Sequence, residues 1–164
     1  MVLVVYFDGL CEPVNPGGVA AYGFVVYKDG ERLHAGRGIA GAGYLGGDVT
    51  NNVAEYTALI KALEWLIENG FSGEGLIVRG DSQLVIKQLK GEYAVKSPRI
   101  GPLYARVKEL LRFFRNVKLE WLPRELNAEA DALSRTAYEE FLREHPEALR
   151  VYNIKARRSR FTLR

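Results

Sequence analysis

The chain has 164 residues, 48% of them hydrophobic, with a mean hydropathy of −0.12, which suits one domain with a real core and excludes a chain disordered throughout. Its apolar runs fall far short of the roughly 20 residues that span a bilayer, no basic-then-apolar leader opens it, and one cysteine, Cys11, makes no internal disulfide; a soluble, cytoplasmic protein with no membrane partner is expected. The net charge of +3 is uneven, because residues 145–164 hold six Lys/Arg and one Glu and leave −2 on residues 1–144, so charge alone does not identify a nucleic-acid-binding body.

Residues 2–7 are apolar on both faces and predict a central strand covered on both sides, ended by Asp8. Residues 8–18, with Asn15-Pro16-Gly17-Gly18, turn the chain into strands over 19–27 and 32–40, joined at Lys28-Asp29-Gly30, which gives an antiparallel meander. A glycine-rich loop (41–48) precedes a helix over 52–68, where Tyr56, Leu59, Ile60, Leu63, Leu66 and Ile67 recur at helical spacing before Asn69-Gly70 stops it. A short buried strand follows at 76–79, then helices over 82–90 and 103–114, a fifth strand at 117–122 and a last helix over 127–143 that Pro146 closes. The reading is one domain, residues 1–143, and a basic tail, 144–164. In that tail Tyr152, Ile154 and Ala156 alternate with polar residues and suit a packed edge strand.

Four acids fall at strand ends and helix starts: Asp8, Glu55, Asp81 and Asp131. In a meander, strands one and three run the same way, and helical crossovers make strands four and five parallel to strand one, so all four acids reach one sheet edge, the carboxyl end where open α/β sheets place ligands. Each has a structural explanation too: Asp8 as a turn residue, Asn52-x-x-Glu55 as a capping box, Asp81 as a cap, Asp131 as a partner of the helix dipole. Capping does not explain acids at every such junction of one sheet, where mutual repulsion without a cation raises their pKa values. All-oxygen ligands with no Cys or His pairing select Mg²⁺ or Mn²⁺. His34 and His145 lack companions at ligand spacing and read as packed or surface residues, and no phosphate-binding glycine loop occurs at a strand-to-helix junction.

The segments Tyr6-Phe7-Asp8-Gly9 with Asn15-Pro16-Gly17-Gly18, Thr50-Asn51-Asn52-Val53-Ala54-Glu55, Asp81-Ser82-Gln83 and Asn127 through Asp131 resemble, in order, type 1 ribonuclease H, over residues 1 to about 140. The resemblance implies an α/β ribonuclease H-like fold, a five-stranded mixed sheet of order 3-2-1-4-5 with helices on both faces, and hydrolysis of the RNA strand in RNA/DNA hybrids by a monomer. It implies that Asp8, Glu55, Asp81 and Asp131 are catalytic and hold two metal ions, Mg²⁺ or Mn²⁺. It also implies that Asn15, Asn51, Asn52 and Gln83 meet the hybrid's minor groove and that Thr50 meets a DNA phosphate; Arg124, by its own charge, is a candidate phosphate ligand. For Asn51 and Asn52, helix capping competes with that role.

Three departures from the family pattern set further expectations. The loop before the last acid reads Leu122-Pro123-Arg124-Glu125, where many members carry a histidine, and Arg124 is no base near neutral pH. A basic helical insertion is absent, so Lys87, Lys90, Lys96, Arg99 and the tail are left to hold the hybrid. Asp48 stands where relatives often place a cation, which makes cleavage of RNA/RNA duplexes an open expectation. Rival readings are another nuclease of the same fold, exonuclease or resolvase, and a non-catalytic hybrid-binding module.

Overall fold

The computed structural model describes residues 2–154. Its sheet has five strands, β1 (Val2–Glu12), β2 (Val19–Lys28), β3 (Glu31–Ala42), β4 (Gly75–Gly80) and β5 (Arg115–Trp121), in the order β3-β2-β1-β4-β5. β1 pairs antiparallel with β2 and parallel with β4, β2 pairs antiparallel with β3, and β4 pairs parallel with β5. The directions are those the meander and crossovers dictate, and the order is the one the family resemblance implies.

Helices α1 (Asn51–Glu68), α2 (Gln83–Leu89), α3 (Gly101–Leu111), α4 (Ala128–Glu144) and α5 (Glu147–Val151), with short 3-10 turns at Gly43–Leu45 and Arg124–Asn127, complete the described elements. α1 and α3 build the main core: Leu3, Val5 and Phe7 of β1 and Leu59, Leu63 and Leu66 of α1 are all 1% exposed or less. Burial of each such side chain stabilises the fold by roughly 1.5–3 kcal/mol, before conformational entropy is counted. The opposite face holds a second core in which Leu10, Val19, Ala21 and Ala42 meet Tyr138, Phe141 and Leu142 of α4 and Ala148 of α5. Among the described residues no helix is long and apolar enough to cross a membrane.

Three expectations are corrected. Asp8 does not end β1: the ladder with β2 continues through Asp8↔Gly23 to Glu12↔Val19, and only the parallel ladder with β4 stops, at Phe7↔Gly80. β1 is covered fully on one face alone. α4 crosses over β2 and β3, leaving Val4 and Tyr6 half-buried in a groove beside Asn127 and Ala130. No edge strand forms at Tyr152 and Ile154; Pro146 starts a short helix, and both side chains pack on the second core from the turn after it. Ala156, the arginines from Arg157 to Arg160, Phe161 and Leu163 lie outside the described residues.

Candidate active site

Phe7↔Gly80 is the last parallel pair of β1 and β4, so Asp8 and Asp81 are the next residues on two adjacent strands, side by side where the ladder opens. Asp81 is held in place by its surroundings. Ser82 caps α2 by accepting the Val85 N–H at 3.2 Å, the Trp121 indole donates to the Asp81 carbonyl at 3.1 Å, and the Asn127 amide donates to Asp81 Oδ1 at 3.3 Å and to Phe7 O at 2.9 Å. Asn127 is 1% exposed, so its amide fixes the carboxylate from below the cleft.

Glu55 arrives from α1. Thr50 is the N-cap, accepting the Val53 N–H at 3.1 Å, so the capping box expected of Asn52 and Glu55 does not form and the Glu55 carboxylate is turned into the site. What brings the helix so near β1 is Gly9: a Cβ there would lie 2.4 Å from Glu55 N and 2.6 Å from Ala54 Cβ. Gly9→Ala is therefore expected to push α1 off the strand, lowering stability in a urea melt by about 1–3 kcal/mol and weakening the rise in melting temperature expected on adding Mg²⁺ to the wild type. A variant with wild-type values for both would remove this close approach from the account.

One oxygen each of Asp8, Glu55 and Asp81 lie within 4.8 Å of one another. Asp131, in the first turn of α4, lines the same cleft of about 300 Å³ and reaches Asp8, while Arg124 approaches its Oδ1 at 3.7 Å. Burial, then the charge of Asp81 with a smaller push from Asp131, raises the Asp8 pKa to about 8. Burial, then Asp8 and Asp81, holds Glu55 well above the usual carboxylate range, and Glu55 Oε2 is buried with no hydrogen-bond partner among the described residues. An orphaned carboxylate oxygen beside two more acids is unfavourable by itself and fits a hard divalent cation.

The polar residues expected to meet substrate separate into two groups. Asn15, Asn51 and Arg124 line the carboxylate cleft. Asn15 and Asn51 form a reciprocal pair, Asn15 Nδ2 donating to Asn51 Oδ1 at 2.8 Å and Asn51 N donating to Asn15 Oδ1 at 3.2 Å, which ties the first loop to the start of α1. Thr50, Asn52 and Gln83 stand off the cleft lining, Gln83 exposed at the first position of α2. Asp48 is not a free anion: Arg99 holds it with nitrogens at 2.6 and 2.7 Å, so a cation expected to grip nucleic acid is paired with the acid that stands where relatives often place a cation. His34 stacks on Trp65 and His145 on Phe141, each with centroids 4.1 Å apart, in keeping with packed histidines.

Sequence reasoning gave no separate role to Asn127, to Gly9 or to the Arg135–Glu12 pair, whose guanidinium holds the carboxylate at 2.7 and 2.8 Å on the cleft wall. Gly9 and Asn127 fall inside the segments that carry the family resemblance, and Arg135 lies one helical turn after Asp131 on the same face of α4.

A family model described as "Reverse transcriptase-like" matches residues 7–137. Ribonuclease HI of Halobacterium salinarum is 39% identical over 135 residues, 82% of this chain and 63% of that protein, so the chain spans less than two thirds of this curated relative. A crystal structure of RNase H1 from the same archaeon superposes with a TM-score of 0.75 at 36% identity, covering 85% of this chain and 99% of that one. LC11-RNase H1, isolated from compost by a metagenomic approach and solved in complex with an RNA/DNA hybrid, gives a TM-score of 0.75 at 35% identity, covering 85% of this chain and 99% of that one. With the strand order, the acids at the open end of the β1–β4 ladder and these similarities agreeing, the chain belongs to the type 1 ribonuclease H family.

Proposed function

We propose that this protein is a metal-dependent endoribonuclease that hydrolyses the RNA strand of RNA/DNA hybrids. The observation that carries the reading is the cluster of Asp8, Glu55 and Asp81, with oxygens within 4.8 Å of one another and one of them orphaned in the interior. Asp8, Glu55 and Asp81 would hold one Mg²⁺ or Mn²⁺, and Asp8 with Asp131 would hold a second beside the substrate phosphate. Bound there, the pair supplies Lewis-acid activation of a water and neutralises charge at the departing 3′ oxygen.

The chain's own groups do the positioning. Asn127 keeps one Asp81 oxygen fixed, which leaves the other for a ligand. The Asn15–Asn51 pair holds two amides in a set orientation at the cleft, where each retains donor or acceptor capacity for 2′-hydroxyls and base edges. Thr50 accepts from Val53, so its hydroxyl proton stays available to a phosphate oxygen, while Gln83 is exposed for contact farther along the groove. Arg124, 70% exposed in its side chain and offering a planar fork of donors, serves phosphate rather than proton transfer. Both histidines lie packed on aromatic rings away from the cleft, so the work of a loop histidine is left to water and the acids.

Arg99 is bound to Asp48 and so sets a cation beside the acid that stands in a cation's place, and hybrids are the substrate class proposed. The test is cleavage of end-labelled RNA/DNA, RNA/RNA and DNA/DNA duplexes with Mg²⁺, with Mn²⁺ and with EDTA. Internal cuts in the RNA of the hybrid, abolished by EDTA, are expected. End-trimming or DNA nicking would instead mark an exonuclease or resolvase, and hybrid binding without cleavage under either metal would leave a binding module.

A further inference from the structure

The segment after α4 lies beyond the family match, which ends at residue 137, yet it reaches back to the loop that carries Asn15. The Tyr152 hydroxyl donates to the Gly17 carbonyl at 2.8 Å and accepts the Tyr44 N–H at 3.1 Å. Tyr44 meets the Tyr152 ring edge-on, with centroids 5.6 Å apart, and its own hydroxyl donates to Glu147 of α5 at 2.7 Å. Gly17 in turn donates its N–H to Val49 O at 3.0 Å, and Gly43 donates to Gly18 O at 2.9 Å. The two loops touch backbone to backbone, since a Cβ on Gly43 would stand 2.0 Å from Gly17 O.

These contacts form one chain of support. Residues 13–16 are exposed, and Asn15 within them is joined to Asn51 at the start of α1. The loop's far end, Gly17, is fixed to the residue before Thr50 by its N–H and to the C-terminal segment by its carbonyl. Without the tyrosine hydroxyl the Gly17 carbonyl loses that donor and the Tyr44 N–H its acceptor in a half-buried setting, so the backbone would shift to recover partners.

We propose that Tyr152 is a positioning residue for substrate binding: its hydroxyl pins the Gly17 end of the 13–18 loop, so that the segment after α4 sets how well the Asn15–Asn51 pair receives the hybrid. The inference rests on the hybrid-cleaving reading above. Tyr152 lies among second-core residues rather than in the carboxylate cleft, so its removal acts on affinity and not on the chemical step.

The experiment compares the wild-type 164-residue chain with Tyr152→Phe, which keeps the ring and its packing, and with Tyr152→Leu. KM and kcat are measured on an RNA/DNA hybrid with Mg²⁺, hybrid affinity by fluorescence anisotropy in an Asp81→Asn background, and amide hydrogen exchange over residues 13–18. Tyr152→Phe is expected to raise KM and Kd about five- to tenfold with kcat within about twofold of wild type, and to speed exchange at Gly17 and Gly18. Tyr152→Leu should shift the same quantities further. Unchanged loop exchange, unchanged KM and Kd, or a fall confined to kcat in Tyr152→Phe overturns the proposal while wild-type cleavage leaves the enzyme assignment standing. A wild type that neither cleaves nor binds the hybrid overturns the assignment itself, and this inference with it.

Discussion

Asp81→Asn is expected to lower kcat for hybrid cleavage on the order of 10³-fold and to leave KM no higher than wild type. The substitution keeps shape and removes one negative charge. The asparagine oxygen can still accept from Asn127, and the backbone is held independently by the Trp121 indole and the Ser82 cap, so the strand end and α2 should stay in place. What is lost is one of three carboxyl groups whose oxygens gather within 4.8 Å, and with it part of the strength of the proposed cation site, where charge would develop during hydrolysis. On the proposed reading, ground-state binding depends instead on amides, Arg124 and groove shape, and one acid fewer reduces repulsion of the phosphates, so KM has no reason to rise. Steady-state kinetics on a labelled hybrid, with a thermal melt as control for folding, decide the matter. Residual kcat above a tenth of wild type in a folded variant would remove Asp81 from the catalytic set.

The fold was legible wherever periodicity and connection length decide. The turn at Lys28-Asp29-Gly30, helical spacing from Tyr56 to Ile67 and the crossovers to β4 and β5 suffice for the elements and their directions, the family resemblance adds the sheet order, and the same topology carries four separated acids to one edge. Ends were less legible, because they depend on partners distant in sequence. Asp8 reads as a stop, yet β2 goes on pairing with β1 for four more residues and carries the strand to Glu12. Tyr152 and Ile154 alternate like a strand, but Tyr152 N–H also closes a helical turn onto Ala148 O, and a five-residue helix leaves no periodic signature.

The site divides along the same line. Acids at helix starts announce themselves, whereas Asn127 owes its role to burial under Asp81, Gly9 to the arrival of α1, and the Asp48–Arg99 pair to a contact across 51 residues. Competition for one cap was also unresolvable beforehand: Thr50, Asn51 and Asn52 all suit the start of α1, and only the geometry spends Thr50 on the cap and turns Asn51 toward Asn15.

The same crowding of acids sets the stability of the metal-free protein, and here the expected sign is a gain on mutation. The Asp8 pKa stands at about 8 in the fold, against about 3.9 in an unfolded chain, because the buried site disfavours its charge. Below pH 4 the group is protonated in both states and costs nothing. Between pH 4 and pH 8 the unfolded state releases the proton while the folded state retains it, so stability falls steadily with rising pH, and above pH 8 the penalty is constant. Asp8→Asn removes this group's share and relieves Glu55, whose pKa its charge helps to raise. In EDTA at pH 8 the variant should therefore be more stable than wild type by on the order of 3 kcal/mol, a rise in Tm of roughly 6–12 °C. The gap should close by pH 4, and it should shrink when Mg²⁺ is added, because the wild type gains more from the cation than a variant short of one ligand. Melting curves from pH 4 to pH 8, with EDTA and with Mg²⁺, test all three statements. A variant less stable than wild type at pH 8 in EDTA would show that Asp8 is stabilised in the interior by its neighbours rather than held there against their repulsion, and would take away the physical ground for a cation at this site.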